Sequence, residues 1–363
     1  MVSSCYVHVP FCDTLCSYCD FCRYIHQIDT KNQWLQKIGS EINKTSIEYL
    51  DTLYFGGGTP TCLSYEQLDV LTDLFTEHIQ EKTEWTVEAN PESFTEDKMI
   101  LLKEKGVNRI SLGVQSFKEE LLNEIGRKHT VSQIDQVIHG LRKHEFHNIS
   151  IDLMYGLPGQ SLQDVYCDLQ TFLTYDLEHL SIYSLQIEPN SVFGKKKLQP
   201  CDEDLEADMY EMIEDVLVKA GYIHYETSSY AKKGFFSQHN LAYWQDKDFY
   251  GIGCGASGKI NNIRFDNTRS LDTYLDKGAS PEYIIMNNDE RAFEAIMMGL
   301  RTSLGFSYVN WDKRYKMDFL NKYKNVLNKW VPDSLYIAEG WIRPTRHGME
   351  ILNSILVDFL SVE

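Results

Sequence analysis

Six short apolar runs, each ending in a polar or glycine-rich tip, recur through the first half of the chain: 5-CYVHV-9, 52-TLYFGGG-58, 85-WTVEAN-90, 109-RISLGVQ-115, 149-ISIDLMYG-156 and 180-LSIYSLQIE-188. Stretches with helical periodicity lie between them, such as 64-SYEQLDVLTDLFTEHI-79 and 161-SLQDVYCDLQTFLTY-175. Parallel strands need a crossover, and a helix is the usual one, so this alternation predicts βαβ units and a parallel sheet. Ser64 followed by Gln67 has the capping-box pattern and marks a helix start. Six units predict an α/β fold of incomplete barrel type, a partial (β/α)6 arrangement. The residues Gly57, Glu88, Gln115, Asp152 and Gln186 then fall at the carboxyl ends of strands, where barrel enzymes carry their sites.

After residue 260 the pattern turns helical, over 289–304 and 347–360. Between these, 333-DSLYIAEGWIRPTRHG-348 reads as a helix, a short ribbon bearing Pro344 and a helix start, which suggests a winged-helix-like unit. The expected organisation is a barrel over 1–260 and a helical domain over 261–363.

Bulk properties exclude some functions. The 363 residues carry 35 Lys and Arg against 53 Asp and Glu, a net charge of −18, which argues against a nucleic-acid backbone as the main partner. No apolar run reaches the roughly 18 residues of a membrane span. No basic segment followed by an apolar one precedes the first strand, so a cytoplasmic location is expected. In such a reducing compartment, clustered thiols bind metal or do chemistry more often than they form disulfides.

Five of the nine cysteines fall within 5-CYVHVPFCDTLCSYCDFCR-23. Cys12, Cys16, Cys19 and Cys22 follow one another at x3, x2 and x2 spacing. Four thiols could hold zinc, but structural zinc usually draws two well-separated pairs together. Three close cysteines on one loop can instead ligate three irons of a [4Fe–4S] cube and leave the fourth open. Cys5, Cys62, Cys167, Cys201 and Cys254 read as packed small side chains.

Cys12-x3-Cys16-x2-Cys19, with Tyr18 just ahead of the last thiol, resembles the signature of the radical S-adenosylmethionine (SAM) superfamily. The resemblance implies Cys12, Cys16 and Cys19 as cluster ligands, SAM on the open iron, and an electron donor that drives SAM cleavage to a 5′-deoxyadenosyl radical. It extends nearly end to end to the group of oxygen-independent coproporphyrinogen III oxidases, through 55-FGGGTP-60, 87-VEANPE-92, 108-NRISLGVQSF-117, 126-GRKHT-130, 151-IDLMYGLPGQS-161, 188-EPNS-191, 238-QHNLAYW-244 and 251-GIGCGASGK-259. By position it assigns SAM contacts to Gly57, Gly58, Thr59, Glu88, Gln115, Arg127 and Asp152, with weaker ones at Tyr6 and Ser257. Arg109, His129 and His8 read as structural polar groups.

That group contains both decarboxylating oxidases and haem chaperones. The oxidases carry a fourth cysteine at CxC spacing, whereas 19-CDFC-22 is CxxC, and Cys19-Asp20-Phe21 is similar to the chaperones. The short segment ahead of Cys12 and the match of 239-HNLAYW-244 to the chaperones' HNxxYW motif point the same way. Haem delivery to acceptor haemoproteins is therefore the favoured expectation, with His239 as an axial iron ligand and Tyr243 and Trp244 as flat apolar faces. Oxidative decarboxylation of porphyrinogen propionates is the alternative.

Overall fold

A computed structural model describes residues 2–362. The six predicted strands form: β1 (Ser4–Val9), β2 (Leu50–Gly57), β3 (Ile79–Ala89), β4 (Arg109–Gln115), β5 (Ile149–Tyr155) and β6 (His179–Ser184). They are parallel and lie in sequence order, as successive right-handed βαβ units require. The barrel does not close. A hairpin of β7 (Ile223–Glu226) and β8 (Ser229–Ala231) adds antiparallel to β6, and β9 (Tyr250–Ile252) adds parallel to β1.

Period-two alternation divides the sheet into two chemistries. Leu53, Phe55, Trp85, Val87, Ile110, Leu112, Ile151 and Leu153 face one way and join the main core with Trp34, Leu68, Leu102, Ile138 and Leu169 of the covering helices. The other face carries Tyr54, Glu88, Ser111 and Asp152, linked side chain to side chain across the strands. A packed barrel floor would be filled by branched aliphatic side chains. Here the interior is lined by polar side chains instead.

Local signals hold where the chain has a cap. Ser64 and Gln67 bond reciprocally, and Thr130 with Gln133 and Ser161 with Asp164 repeat the arrangement on later crossover helices. The helix expected over 64–79 stops at Asp73, and a short turn at Thr76–His78 swings the chain into β3, which starts at Ile79. The glycine run is part of β2, pairing through Val9↔Gly57.

The expected helix near 333 is instead a strand, β14 (Leu335–Ala338), paired with β15 (Trp341–Pro344) and completed by β13 (Phe306–Ser307). Glu339 and Gly340 both adopt positive φ, 52° and 82°, which is the geometry of a tight hairpin turn. Helices Asn288–Leu300, Tyr308–Tyr315 and Leu352–Leu360 pack with this sheet around Ile296, Trp311, Phe319 and Ile355. A division at residue 260 falls inside an antiparallel sheet of β10 (Ser257–Ile260), β11 (Ile263–Asp266) and β12 (Glu282–Ile285). The buried cores separate later: Tyr274 belongs to the barrel core and Ala292 to the carboxyl-terminal one.

Candidate functional site

The cysteine loop leaves β1 and is closed at its base by backbone pairing. Tyr24 N–H donates to the Pro10 carbonyl at 2.7 Å, and Cys12 N–H donates to Tyr24 O at 3.0 Å. Ser17 N–H reaches Ile125 O at 3.0 Å, and Arg23 Nη2 donates to Cys16 O at 3.0 Å. Tyr18 packs against an apolar cluster of Leu121, Ile125, Met154, Leu157, Leu185 and Phe193. Backbone bonds thus tie the loop to β1 and to the Ile125 turn. The glycine run backs it closely, because a Cβ on Gly58 would lie 2.4 Å from the Phe11 carbonyl oxygen. Only glycine lets the tip of β2 meet the loop there.

Cys12 and Cys16 are buried and Cys19 half-buried. Burial, with the neighbouring Cys19 and Cys16 thiols adding, pushes the Cys12 thiol up to about 11 against a hydrogen bond from Thr59. Burial raises Cys19 as well. Thiolates crowded in this way call for a cationic centre. Among the described residues no three His, Cys, Asp or Glu side chains converge as they would around one ion. Three cysteine thiols on one short loop are the donor set that a [4Fe–4S] cluster takes when one iron is left open.

A hydrogen-bonded circuit over the strand tips joins two of these cysteines. Cys12 Sγ lies 3.6 Å from Thr59 Oγ1, which accepts from Asn90 Nδ2 at 2.8 Å. Arg127 Nη2 donates to Asn90 Oδ1 at 2.7 Å and to Gly113 O at 2.6 Å, while Nη1 reaches Cys16 Sγ at 3.5 Å. Thr59 and Arg127 are buried. Asn90 is the member that sequence reading missed. Its signal was an amide between a strand end and Pro91 in 87-VEANPE-92. Gln115 is buried beside this circuit with φ 70°, at an irregularity in the β4–β5 pairing that re-aims the strand end.

Below the tips lie two carboxyls. Glu88 accepts from Tyr54 OH at 2.7 Å and from Gly57 N–H at 3.2 Å. Asp152 accepts from Ser111 Oγ at 3.2 Å. It is the fourth residue of β5 and so sits a layer deeper than its expected place at a strand end. Burial pushes Glu88 up to about 7, with the Tyr54 hydrogen bond opposing and Asp152 adding to the rise. Burial pushes Asp152 up to about 6 against the Arg109 guanidinium and Ser111. Arg109, read as structural, thus acts electrostatically on the site. Tyr6 stands alongside, its ring 6.0 Å from that of Tyr54 and its hydroxyl 3.0 Å from His8 Nδ1.

Four expected residues lie elsewhere. Phe21 is 69% exposed. Ser257 is exposed on β10, its hydroxyl bonded to Asp266. Gln186 follows β6 and lines a separate cleft. His239 is only 1% exposed, with Nδ1 2.9 Å from Thr52 Oγ1, Nε2 2.7 Å from Tyr243 OH, and its ring stacked on Tyr54 at 5.0 Å. Both ring nitrogens are engaged, and burial with the nearby Arg109 pulls the imidazole down to about 3. His239 is a neutral link between β2 and the helix Gln238–Trp244. Of the cysteines expected to be packed, Cys167 is exposed on the helix Leu162–Thr174, and Cys201 is half-buried.

Known proteins share this architecture and sequence. Residues 6–169 match the radical SAM superfamily. The chain is 37% identical to heme chaperone HemW of Lactococcus lactis, over 99% of this chain and 97% of that protein. It is 35% identical to heme chaperone HemW of Bacillus subtilis, over 99% of each. The solved coproporphyrinogen III oxidase HemN of Escherichia coli superposes with a TM-score of 0.86 over 99% of this chain and 90% of that one, at 21% identity, a likeness of fold alone. Full-length identity of this order, carried on a cysteine loop set against a polar barrel interior, places the chain in the HemW family, a branch of the radical SAM superfamily.

Proposed function

We propose that this protein is a haem carrier built on a radical SAM scaffold, which binds haem and passes it to acceptor haemoproteins. The observation that carries the reading is the full-length similarity to heme chaperones, 37% over 99% of the chain. Cys12, Cys16 and Cys19 would hold a [4Fe–4S] cluster reduced by an external electron donor, and the bound cluster would supply one-electron chemistry to SAM. Gly57 to Thr59, Gln115 and Arg127 would fix the ligand's methionine end, with Glu88 and Asp152 facing its cationic and hydroxyl groups. Ser257 and Phe21 lie exposed, outside this circuit.

The raised carboxyls make the placement testable by pH. Glu88 near 7 and Asp152 near 6 stand above their ordinary 4.5 and 3.8, so the empty folded state binds protons more tightly than the unfolded chain between about pH 4 and 7. The empty protein therefore loses stability as pH rises through that window. A cationic ligand favours the ionised carboxyls, so SAM affinity should climb from pH 6 to pH 8 in calorimetric titrations of cluster-loaded protein. Asp152→Ala, losing a charge-assisted contact of about 1.5–3 kcal/mol, should weaken binding roughly ten- to a hundredfold. A flat pH profile with unchanged affinity in Asp152→Ala would remove these carboxyls from the site.

With His239 engaged on both sides, the haem needs another seat. A cleft of about 530 Å³ lies between the β6 edge and the carboxyl-terminal domain, lined by Tyr155, Tyr183, Gln186, Arg301, Met349 and Leu352 among others. The volume is in the range of cofactor sites. The Arg301 guanidinium lines this cleft, where it would meet a haem propionate. Met349 adds a thioether, a known type of haem-iron ligand. Arg301→Ala should lower haem affinity about tenfold in Soret titrations. His239→Ala should leave the Soret band in place and lower thermal stability. The converse pattern would reject the cleft, and turnover of coproporphyrinogen III to protoporphyrinogen IX by the reconstituted protein would reject the carrier reading.

A further inference from the structure

Cys22 lies three residues beyond the last cluster cysteine and is spent neither on the circuit at the strand tips nor on the barrel interior. It points the other way. Its Sγ is 4.0 Å from Cys254 Sγ, although 232 residues separate them in sequence. Cys22 is 8% exposed and Cys254 fully buried. The two sulfurs lean on consecutive carbonyls of one loop: Cys254 Sγ is 3.3 Å from Thr268 O, and Cys22 Sγ is 3.3 Å from Arg269 O. A Cβ placed on Gly255 would lie 2.6 Å from Cys22 Cβ, so the Cys22 side chain packs directly on the turn after β9. His8 Nε2–H donates to the Cys22 carbonyl at 2.7 Å and holds that residue from the barrel side.

We propose that Cys22 and Cys254 form a dithiol–disulfide site, a covalent clasp between the end of the cysteine loop and the β9 turn. A disulfide needs its sulfurs at about 2.05 Å, so closure brings them roughly 2 Å nearer, within reach of side-chain rotation. The oxidant is a low-molecular-weight disulfide. The Cys22 thiolate attacks one of its sulfurs, the S–S bond breaks and one small thiolate leaves, taking up a proton. Cys254, losing its proton to solvent, attacks the Cys22 sulfur and expels the second small thiol. Two protein thiols are oxidised and one small disulfide is reduced to two thiols. The electrostatics agree, since the Cys22 thiol is held below its ordinary value, chiefly by the hydrogen bond from Cys254. Closed, the clasp tethers the chain three residues from Cys19 and restrains the loop's opening.

The test uses anaerobically purified, cluster-loaded full-length protein treated with oxidised glutathione, then alkylated and digested. The expected product is a cross-linked peptide pair containing Cys22 and Cys254, two hydrogens lighter, absent in Cys22→Ser and in Cys254→Ser. Iron release to a strong chelator should be at least about threefold slower after oxidation of the wild type, and unchanged by the same treatment in Cys254→Ser. Glutathionylation confined to exposed Cys167, or Cys22 linked to Cys16, Cys19 or a second chain, would overturn the clasp. So would loss of the chromophore in Cys22→Ser, which would make Cys22 a cluster ligand. The cross-link is read by mass, so its failure would leave the haem and SAM assays untouched.

Discussion

Replacing Cys16 by serine should yield anaerobically purified protein without the brown chromophore or the EPR signal of a reduced [4Fe–4S] cluster, while Cys22→Ser should keep both. The two thiols differ in surroundings rather than in sequence character. Cys16 is buried beneath Arg127, whose Nη1 stands 3.5 Å from its sulfur and supplies positive potential where a thiolate is needed. Cys22 faces away toward Cys254 at 4.0 Å. A fourth protein ligand would also close the open iron on which SAM chemistry depends. Iron content, colour and the response of the EPR signal to SAM check the prediction. Equal loss of cluster in both variants would show that four cysteines bind.

Asp246→Ala should destabilise the fold by about 3–5 kcal/mol. Asp246 is buried where the barrel meets the carboxyl-terminal domain. It pairs with buried Lys259 of β10, accepts from Arg314 Nη1 at 2.9 Å and from Tyr315 OH at 3.2 Å. Glu294, buried on the helix Asn288–Leu300, lies 3.7 Å from the same Lys259 and pairs with Arg264. Removing Asp246 leaves a buried ammonium with half its compensation and detaches the helix Tyr308–Tyr315 from the barrel. Burial already pulls Lys259 down, with Asp246 opposing that shift. Urea unfolding followed separately by tryptophan fluorescence and circular dichroism is the appropriate measurement, because a two-domain chain need not unfold in one step. A loss below about 1 kcal/mol would mean that the network contributes nothing to holding the domains.

Much of the architecture could be read from local rules. Each of the six strands formed where an apolar run met a polar tip, because period-two patterning and capped crossover helices are properties of short segments. The cysteine loop was legible for the same reason: its meaning lies in spacing. Reading failed where two segments distant in sequence set the outcome. The helix expected near 333 gave way to a strand because Leu335 and Ile337 pair across a hairpin with Pro344 and Ile342, a tertiary preference over helical propensity, while the expected helix start follows at Arg346. For His239 the motif shows an imidazole and not its surroundings. Thr52 and Tyr243 occupy both of its nitrogens.

The amino-acid sequence by itself determined that strands alternate with helices and that three thiols at x3 and x2 spacing sit directly after the first strand. Those are consequences of hydrophobic periodicity and covalent spacing, which act over a few residues. Only the tertiary structure decided which polar groups share an environment. Asn90 and Arg127 became a bridge between Cys12 and Cys16, the carboxyls of Glu88 and Asp152 came to share a desolvated interior, and Cys22 was set against Cys254. Burial and proximity set those outcomes, and both depend on how the sheet curls and what packs against its open edge.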